Sequence, residues 1–167
     1  MPHLQLVPID RAGAPTDPHL QLDEIARQVC AATASLYEAV GFVSPWLGYL
    51  AVSDGRVVGT CGFKTPSVAG KVEIAYFTFP QFEGGGIATA MARELLALAT
   101  AAEPGITVTA QTLREHNAST RILEKLGFTF KGTVAHPDDG KVWEWEWRKL
   151  HPHDRASSVA VAQPDEE

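Results

Sequence analysis

The densest chemical signal in the chain is Glu83-Gly84-Gly85-Gly86-Ile87-Ala88-Thr89, which follows Phe79-Pro80 and opens onto a stretch of helical periodicity. Three successive glycines let a backbone turn sharply and approach a ligand with no Cβ in the way. The first N–H groups of a helix have no partner inside it, and the positive end of the helix dipole lies behind them. A phosphate or pyrophosphate is the natural occupant of such a junction, with the Thr89 hydroxyl as an added donor. The plainer reading, a strand-to-helix turn that only needs glycine, accounts for the three glycines equally well. Two familiar phosphate motifs are excluded. No Gly-Lys-Ser/Thr follows, and the third glycine of the dinucleotide fingerprint is missing.

Glu73 is the second candidate. It is an acid inside the otherwise apolar run Val72-Glu73-Ile74-Ala75-Tyr76. If poorly solvated there, it is suited to take up a proton as a general base. The alternative is a strand glutamate facing solvent or paired with Lys71. Downstream, Ser119 sits where serine most often bonds the first amides of a helix. His116 lies near a turn, and Arg121 and Lys125 are four apart on one helical face, suited to phosphates or to solvent. Cys61 is a poor candidate nucleophile because no histidine or basic residue lies near it in sequence.

The elements that must position these residues follow from periodicity and turn chemistry. His3 to Asp10 alternates as a first strand, and Arg11 to Pro18 is a loop. Leu22 to Val40 has helical spacing, with Asp17 as a cap and Pro18 at the first helical position. Leu47–Val52 and Val57–Lys64 flank Ser53-Asp54-Gly55-Arg56, a hairpin signal. Lys71 to Phe79 is a strand rich in β-branched and aromatic residues, ended by Pro80. A helix runs from Gly86 or Ile87 to about Ala102, then a strand over Ile106–Thr112 and a short helix over Ala118–Leu126. Phe128–Ala135 and Lys141–Lys149 form a second hairpin. In it Trp143, Trp145 and Trp147 alternate with charged residues, which favours core packing over a ligand cage. The order predicts an α/β domain over residues 1–150, largely antiparallel, with one parallel strand–helix–strand unit from Lys71 to Thr112. Residues 151–167 are rich in Pro, Ser, Ala and acids and read as a disordered acidic tail.

The bulk numbers fit. A chain of 167 residues suits one domain. The net charge of −6, half of it in residues 151–167, argues against nucleic acid or an anionic membrane as partner. Cys30 and Cys61 suit neither a disulfide scaffold nor a zinc site, so no metal is expected. No segment reads as a signal peptide or a membrane span, which makes the cytoplasm the expected location.

The segment Val72-Glu73-Ile74-Ala75-Tyr76, Phe79-Pro80 and Phe82-Glu83-Gly84-Gly85-Gly86-Ile87-Ala88-Thr89 resembles the acetyl-CoA-binding motif of the GNAT N-acetyltransferase superfamily. Gly86 and Ala88 fall on its small positions, and Glu83 stands where the family usually has Arg or Gln. Glu115-His116-Asn117-Ala118-Ser119-Thr120-Arg121-Ile122-Leu123-Glu124-Lys125-Leu126-Gly127-Phe128 resembles the second signature, nearest the branch similar to the ribosomal-protein-alanine acetyltransferases. His116 stands where that branch usually has Asn. The resemblance implies a GNAT-like mixed, mostly antiparallel sheet flanked by helices. It implies acetyl transfer from acetyl-CoA to a primary amine of a small molecule or a protein N-terminus; a catalytically inactive CoA-binding module of the same fold is the alternative. It places Glu73 on the position that often carries the base and Ser119 on the branch's serine acid, since Leu123 replaces the usual tyrosine. It assigns the cofactor to backbone groups near Phe77, Thr78 and Phe79, to Glu83 through Thr89, and to His116, Asn117 and Lys125. Tyr37, Trp46 and Tyr49 would line the acceptor site, and the protein would be a monomer or homodimer.

Overall fold

A computed structural model describes residues 3–150. The proposed acidic tail, 151–167, lies outside the described residues, as do residues 1–2. The chain forms β1 (Gln5–Pro8), α1 (Glu24–Val40), β2 (Gly48–Ser53), β3 (Arg56–Phe63) and β4 (Lys71–Thr78). A 3₁₀ turn (Pro80–Phe82) leads into α2 (Ile87–Ala102), followed by β5 (Thr107–Thr112), α3 (Ala118–Lys125), β6 (Thr129–His136) and β7 (Gly140–Trp147). The seven strands make one sheet in the order β1-β2-β3-β4-β5-β7-β6. Every pairing is antiparallel except β4 with β5, the strand–helix–strand unit anticipated from the sequence.

Alternation sorts the two faces. On one, Met91, Leu95 and Ala99 of α2 are fully buried in a cluster with Val72, Ile74, Val108, Trp143 and Trp145. Trp143 and Trp145 of β7 are therefore core, with Trp147 partly buried against the same cluster, in line with their alternation with Glu144 and Glu146. The register puts Glu73, Thr109 and Glu146 together on the opposite face, with Gln111 and Glu144 beside them. Lys71 Nζ lies 3.8 Å from Glu146 Oε2 on that same face.

Helix α1 covers the β1–β3 end of this second face. Cys30 packs with Ile9 and Leu50, and the Tyr37 hydroxyl donates to Ile9 O at 2.8 Å while accepting from Gly48 N at 2.8 Å. The cap of α1 corrects the sequence expectation: Asp23, not Asp17, accepts from Ala26 N at 2.9 Å, and Asp17 instead accepts from His19 N at 3.0 Å. The intervening residues stay outside the helix because Leu20 and Leu22 pack against the Ile9–Cys30–Leu50 cluster. Removing the Tyr37 hydroxyl strands the half-buried Gly48 N–H and the Ile9 carbonyl. Tyr37→Phe is therefore expected to lower unfolding stability by about 1–3 kcal/mol, read as a lower urea midpoint at unchanged m-value.

Candidate active site

Strands β4 and β5 pair only at Lys71↔Thr107, Val72↔Val108 and Glu73↔Thr109. Beyond Glu73, β4 stays with β3 as far as Gly59↔Thr78, and β5 stays with β7 as far as Thr112↔Trp143. The two parallel strands therefore part and leave an open main-chain edge. Parity decides which residues supply it. Lys64 N donates to Glu73 O and Phe79 N to Val58 O, each at 3.0 Å, so the odd-numbered residues of this strand turn their polar groups toward β3. Tyr76 and Thr78 turn theirs toward the gap. Of the three expected backbone contacts, Thr78 lies on the open edge. Phe77 pairs with Thr60 on the β3 side, and both main-chain groups of Phe79 are used, its carbonyl accepting from Phe82 N at 2.8 Å. Tyr76, absent from the sequence expectation, shares the open edge with Thr78, a placement that only the strand register reveals.

The glycine-rich junction follows directly. Gly84 and Gly86 have φ of 82° and 79°, a left-handed conformation that strains any residue with a Cβ. Gly86 is the cap residue of α2 and brings no side-chain cap. The first intrahelical bond runs from Ala90 N to Gly86 O at 3.1 Å, which leaves the Ile87, Ala88 and Thr89 amides without helical partners. A Cβ built on Gly84 would meet nothing within 4 Å, and one on Gly85 only Phe82 O at 3.7 Å, so the space over the loop is open. These features fit a phosphate-bearing ligand. The Glu83 side chain is exposed and makes no ion pair among the described residues. A cation does lie close by: Arg56 stacks 5.2 Å from the Phe82 ring centroid and shares a pocket of ≈ 220 Å³ with Gly85 and Ile87.

Glu73 does not stand alone in an apolar strand. Its Oε2 is buried 2.5 Å from Lys64 Nζ, outside hydrogen-bonding alignment, and has no hydrogen-bond partner among the described residues. The alternative of a Lys71 pair is also superseded, since Lys71 turns to Glu146. Lys64, missed in the sequence because it comes from the end of β3, lies on the boundary of two pockets. One, of ≈ 280 Å³, is also lined by Gln111, Asn117, Ser119 and His136. The other, of ≈ 200 Å³, is apolar and includes Leu36, Ala75 and Phe77.

Ser119 opens into the first of these pockets, and no hydrogen bond engages its hydroxyl among the described residues. The helix-start role belongs to Asn117. Its Oδ1 accepts from Thr120 N at 3.2 Å, and Thr120 Oγ1 accepts from Asn117 N at 3.0 Å, a reciprocal cap. Asn117 Nδ2 donates to Glu115 Oε1 at 3.1 Å, so that side chain is largely committed to structure although it borders the pocket. His116 is exposed and packs its ring 5.4 Å from Trp143. Lys125 is exposed in the last turn of α3, at the end opposite Ser119. Tyr37, Trp46 and Tyr49, expected to line the acceptor site, belong to the core. Burial pushes the Tyr49 phenol up to about 12. It likewise raises Cys30 and Cys61 above the ordinary thiol range, with smaller contributions from Asp10 and Glu94 respectively. Neither thiol is a nucleophile at neutral pH. Among the described residues no group of three or more His, Cys, Asp or Glu side chains is placed to hold a metal ion.

The uncapped, glycine-bent helix start anticipated from the sequence therefore lies beside a parallel strand pair that opens. Residues 10–129 match the family model described as an acetyltransferase (GNAT) domain. The chain belongs to the GNAT acetyltransferase family. No curated protein matches it. Among solved structures, the GNAT fold is shared with RimL, a ribosomal alpha-N-protein acetyltransferase, at TM-score 0.63 and 16% identity, covering 87% of this chain and 90% of that one. A RimL structure in complex with coenzyme A superposes at TM-score 0.61 and 16% identity, over 87% and 93% of the two chains. A GnaT-family acetyltransferase from Bordetella pertussis gives TM-score 0.60 at 22% identity, over 87% and 95%.

Proposed function

We propose that this GNAT protein moves an acetyl group from acetyl-CoA to a primary amine, either of a small molecule or of a protein N-terminus. The observation that carries this reading is the parting of β4 and β5 after Glu73↔Thr109 next to the Ile87–Thr89 amides. A pantetheine arm would pair with the Tyr76 and Thr78 main chain as an added strand, and the pyrophosphate would sit on the helix start. The structural likeness to RimL with coenzyme A bound supports the ligand, and RimL's action as an alpha-N-protein acetyltransferase supports an amine acceptor. Acetyl-CoA supplies a thioester whose acyl carbon accepts the amine. Glu73 would relieve the amine of its proton, held in place by Lys64, and Ser119 would protonate the departing thiolate. Neither role requires a metal ion. The chain has no helix long and apolar enough to cross a membrane among the described residues. A cytoplasmic monomer or homodimer, with neither nucleic acid nor membrane as partner, is the accompanying proposal.

A second reading, a CoA-binding module without turnover, is favoured by two specific features: Glu73 is tied to Lys64, and Glu83 occupies the loop position where the family usually has Arg or Gln. A thiol-release screen of amines, polyamines, antibiotics and N-terminal peptides with acetyl-CoA separates the two. The buried Cys30 and Cys61 leave the released CoA as the reporting thiol. Release with at least one acceptor supports the enzyme; CoA binding with no release supports the module. Because its hydroxyl makes no structural bond, Ser119→Ala is expected to lower kcat about tenfold with an unchanged melting temperature. An unchanged kcat removes Ser119 from the mechanism.

A further inference from the structure

The ≈ 280 Å³ pocket lined by Ser119 and Lys64 is also lined by the hairpin between β6 and β7, which brings in His136. The ring is mostly shielded, 22% exposed at the side chain, and its orientation is fixed by its own turn. Nδ1 accepts from Asp138 N and from Asp139 N, each at 3.1 Å. A ring nitrogen that accepts carries no hydrogen, so the neutral imidazole bears its hydrogen on Nε2. The Asp139 carboxylate lies 3.5 Å from the same Nδ1, a contact that becomes an ion pair only in the protonated ring. In the neutral ring, then, the turn consumes the acceptor nitrogen, and no hydrogen bond engages Nε2 among the described residues. His116, by contrast, is exposed against Trp143 and is not among the residues lining this pocket.

The other polar side chains lining the same space, Asp139 apart, are Lys64, Gln111, Thr112, Asn117 and Ser119, all able to donate, with Asn117 Nδ2 already given to Glu115 and Thr112 Oγ1 accepting from Trp145 Nε1. The one carboxylate lining the pocket is that of Asp139, which sits beside His136 and is more than half exposed. A pocket of this kind offers hydrogen bonds to oxygen. Resting on the acetyltransferase reading above, we propose that His136 is an acceptor-binding residue, its Nε2–H donating to a carbonyl, carboxylate or hydroxyl oxygen that the acceptor carries near its amine. That contact would hold the amine against Glu73 and Ser119 and discriminate against alkyl amines that lack such an oxygen, since those would leave the donor unpaired.

The test uses the full chain, acetyl-CoA and two kinds of acceptor: alaninamide and alanyl peptides, which carry the oxygen, and isopropylamine with alkyl polyamines, which do not. His136→Asn keeps an acceptor oxygen at the reach of Nδ1 and so preserves the turn, but removes the donor. His136→Gln puts an amide N–H near the position of Nε2. The expected result is release of CoA with oxygen-bearing acceptors, whose KM rises about tenfold in His136→Asn and recovers in His136→Gln. The KM for acetyl-CoA should stay unchanged throughout. If His136→Asn loosens the hairpin, its melting temperature and its KM for acetyl-CoA both move, and His136→Gln then decides alone. Turnover confined to oxygen-free amines, or an oxygen-bearing acceptor whose KM ignores both variants, overturns the inference while leaving the acetyltransferase reading intact. No release with any acceptor overturns both.

Discussion

Replacing Gly86 by valine is expected to abolish measurable CoA binding in a protein that still folds. Gly86 holds φ of 79° at the cap of α2 and offers no side chain to the helix amides. A β-branched residue in that conformation is strained by about 1–2 kcal/mol or more, and the strain is relieved by re-forming the loop and the first turn. Re-forming the turn re-aims the Ile87, Ala88 and Thr89 amides. Hydrogen bonds to a charged phosphate are each worth about 1.5–3 kcal/mol, so losing two weakens binding by roughly a hundredfold or more. Of the buried face of α2 only Ile87 lies in the re-formed turn; Met91, Leu95 and Ala99 lie a turn or more further on and keep the helix packed on the sheet. Calorimetric titration with CoA and a urea melt on the same sample separate the two effects. An affinity within about twofold of the wild type would mean that the backbone at Gly86 does not hold the ligand.

Glu73→Gln carries the second large effect. If Glu73 removes the amine proton, the amide cannot, and kcat should fall about 10²- to 10⁴-fold with little change in the KM for acetyl-CoA. The stability control is favourable because the Lys64–Glu73 pair is partly open to water, 41% and 25% exposed at the two side chains. Loss of such a pair shifts unfolding by no more than about 1 kcal/mol. A fall in kcat with an unchanged urea midpoint therefore reports chemistry. A kcat within about threefold of the wild type removes Glu73 as the base and strengthens the reading as a binding module.

What the sequence made legible was local. The glycine turn, the Asp54-Gly55 hairpin and the helix that follows Gly86 are all set by neighbours within a few residues, and each appears where its residue types require. The β4–β5 parallel pair followed from topology rules. What stayed hidden depends on distant partners. Glu73 looked like a desolvated acid because Lys64, its partner, sits on another strand, joined only through the Lys64 N–Glu73 O register. The open edge belongs to Tyr76 and Thr78 rather than Phe77 and Phe79, a matter of strand parity that shifts with a single residue. His136 enters the pocket only because the β6–β7 hairpin folds back beside α3. Asn117 and Ser119, two residues apart, both border the pocket, but the helix cap falls to Asn117 rather than to Ser119. Tyr37, Trp46 and Tyr49 looked like acceptor-site aromatics by position, but α1 and β2 turn them inward.

The central claim is that main-chain amides at the start of α2 capture the pyrophosphate. Amide ¹⁵N–¹H spectra of the labelled protein, recorded with CoA and then with pantetheine, address it at single-residue resolution. The account predicts that CoA moves the Ile87, Ala88 and Thr89 signals most, together with Tyr76 and Thr78, and that pantetheine, which lacks the pyrophosphate, leaves the three helix-start signals in place. Helix-start signals that stay fixed at saturating CoA would contradict it.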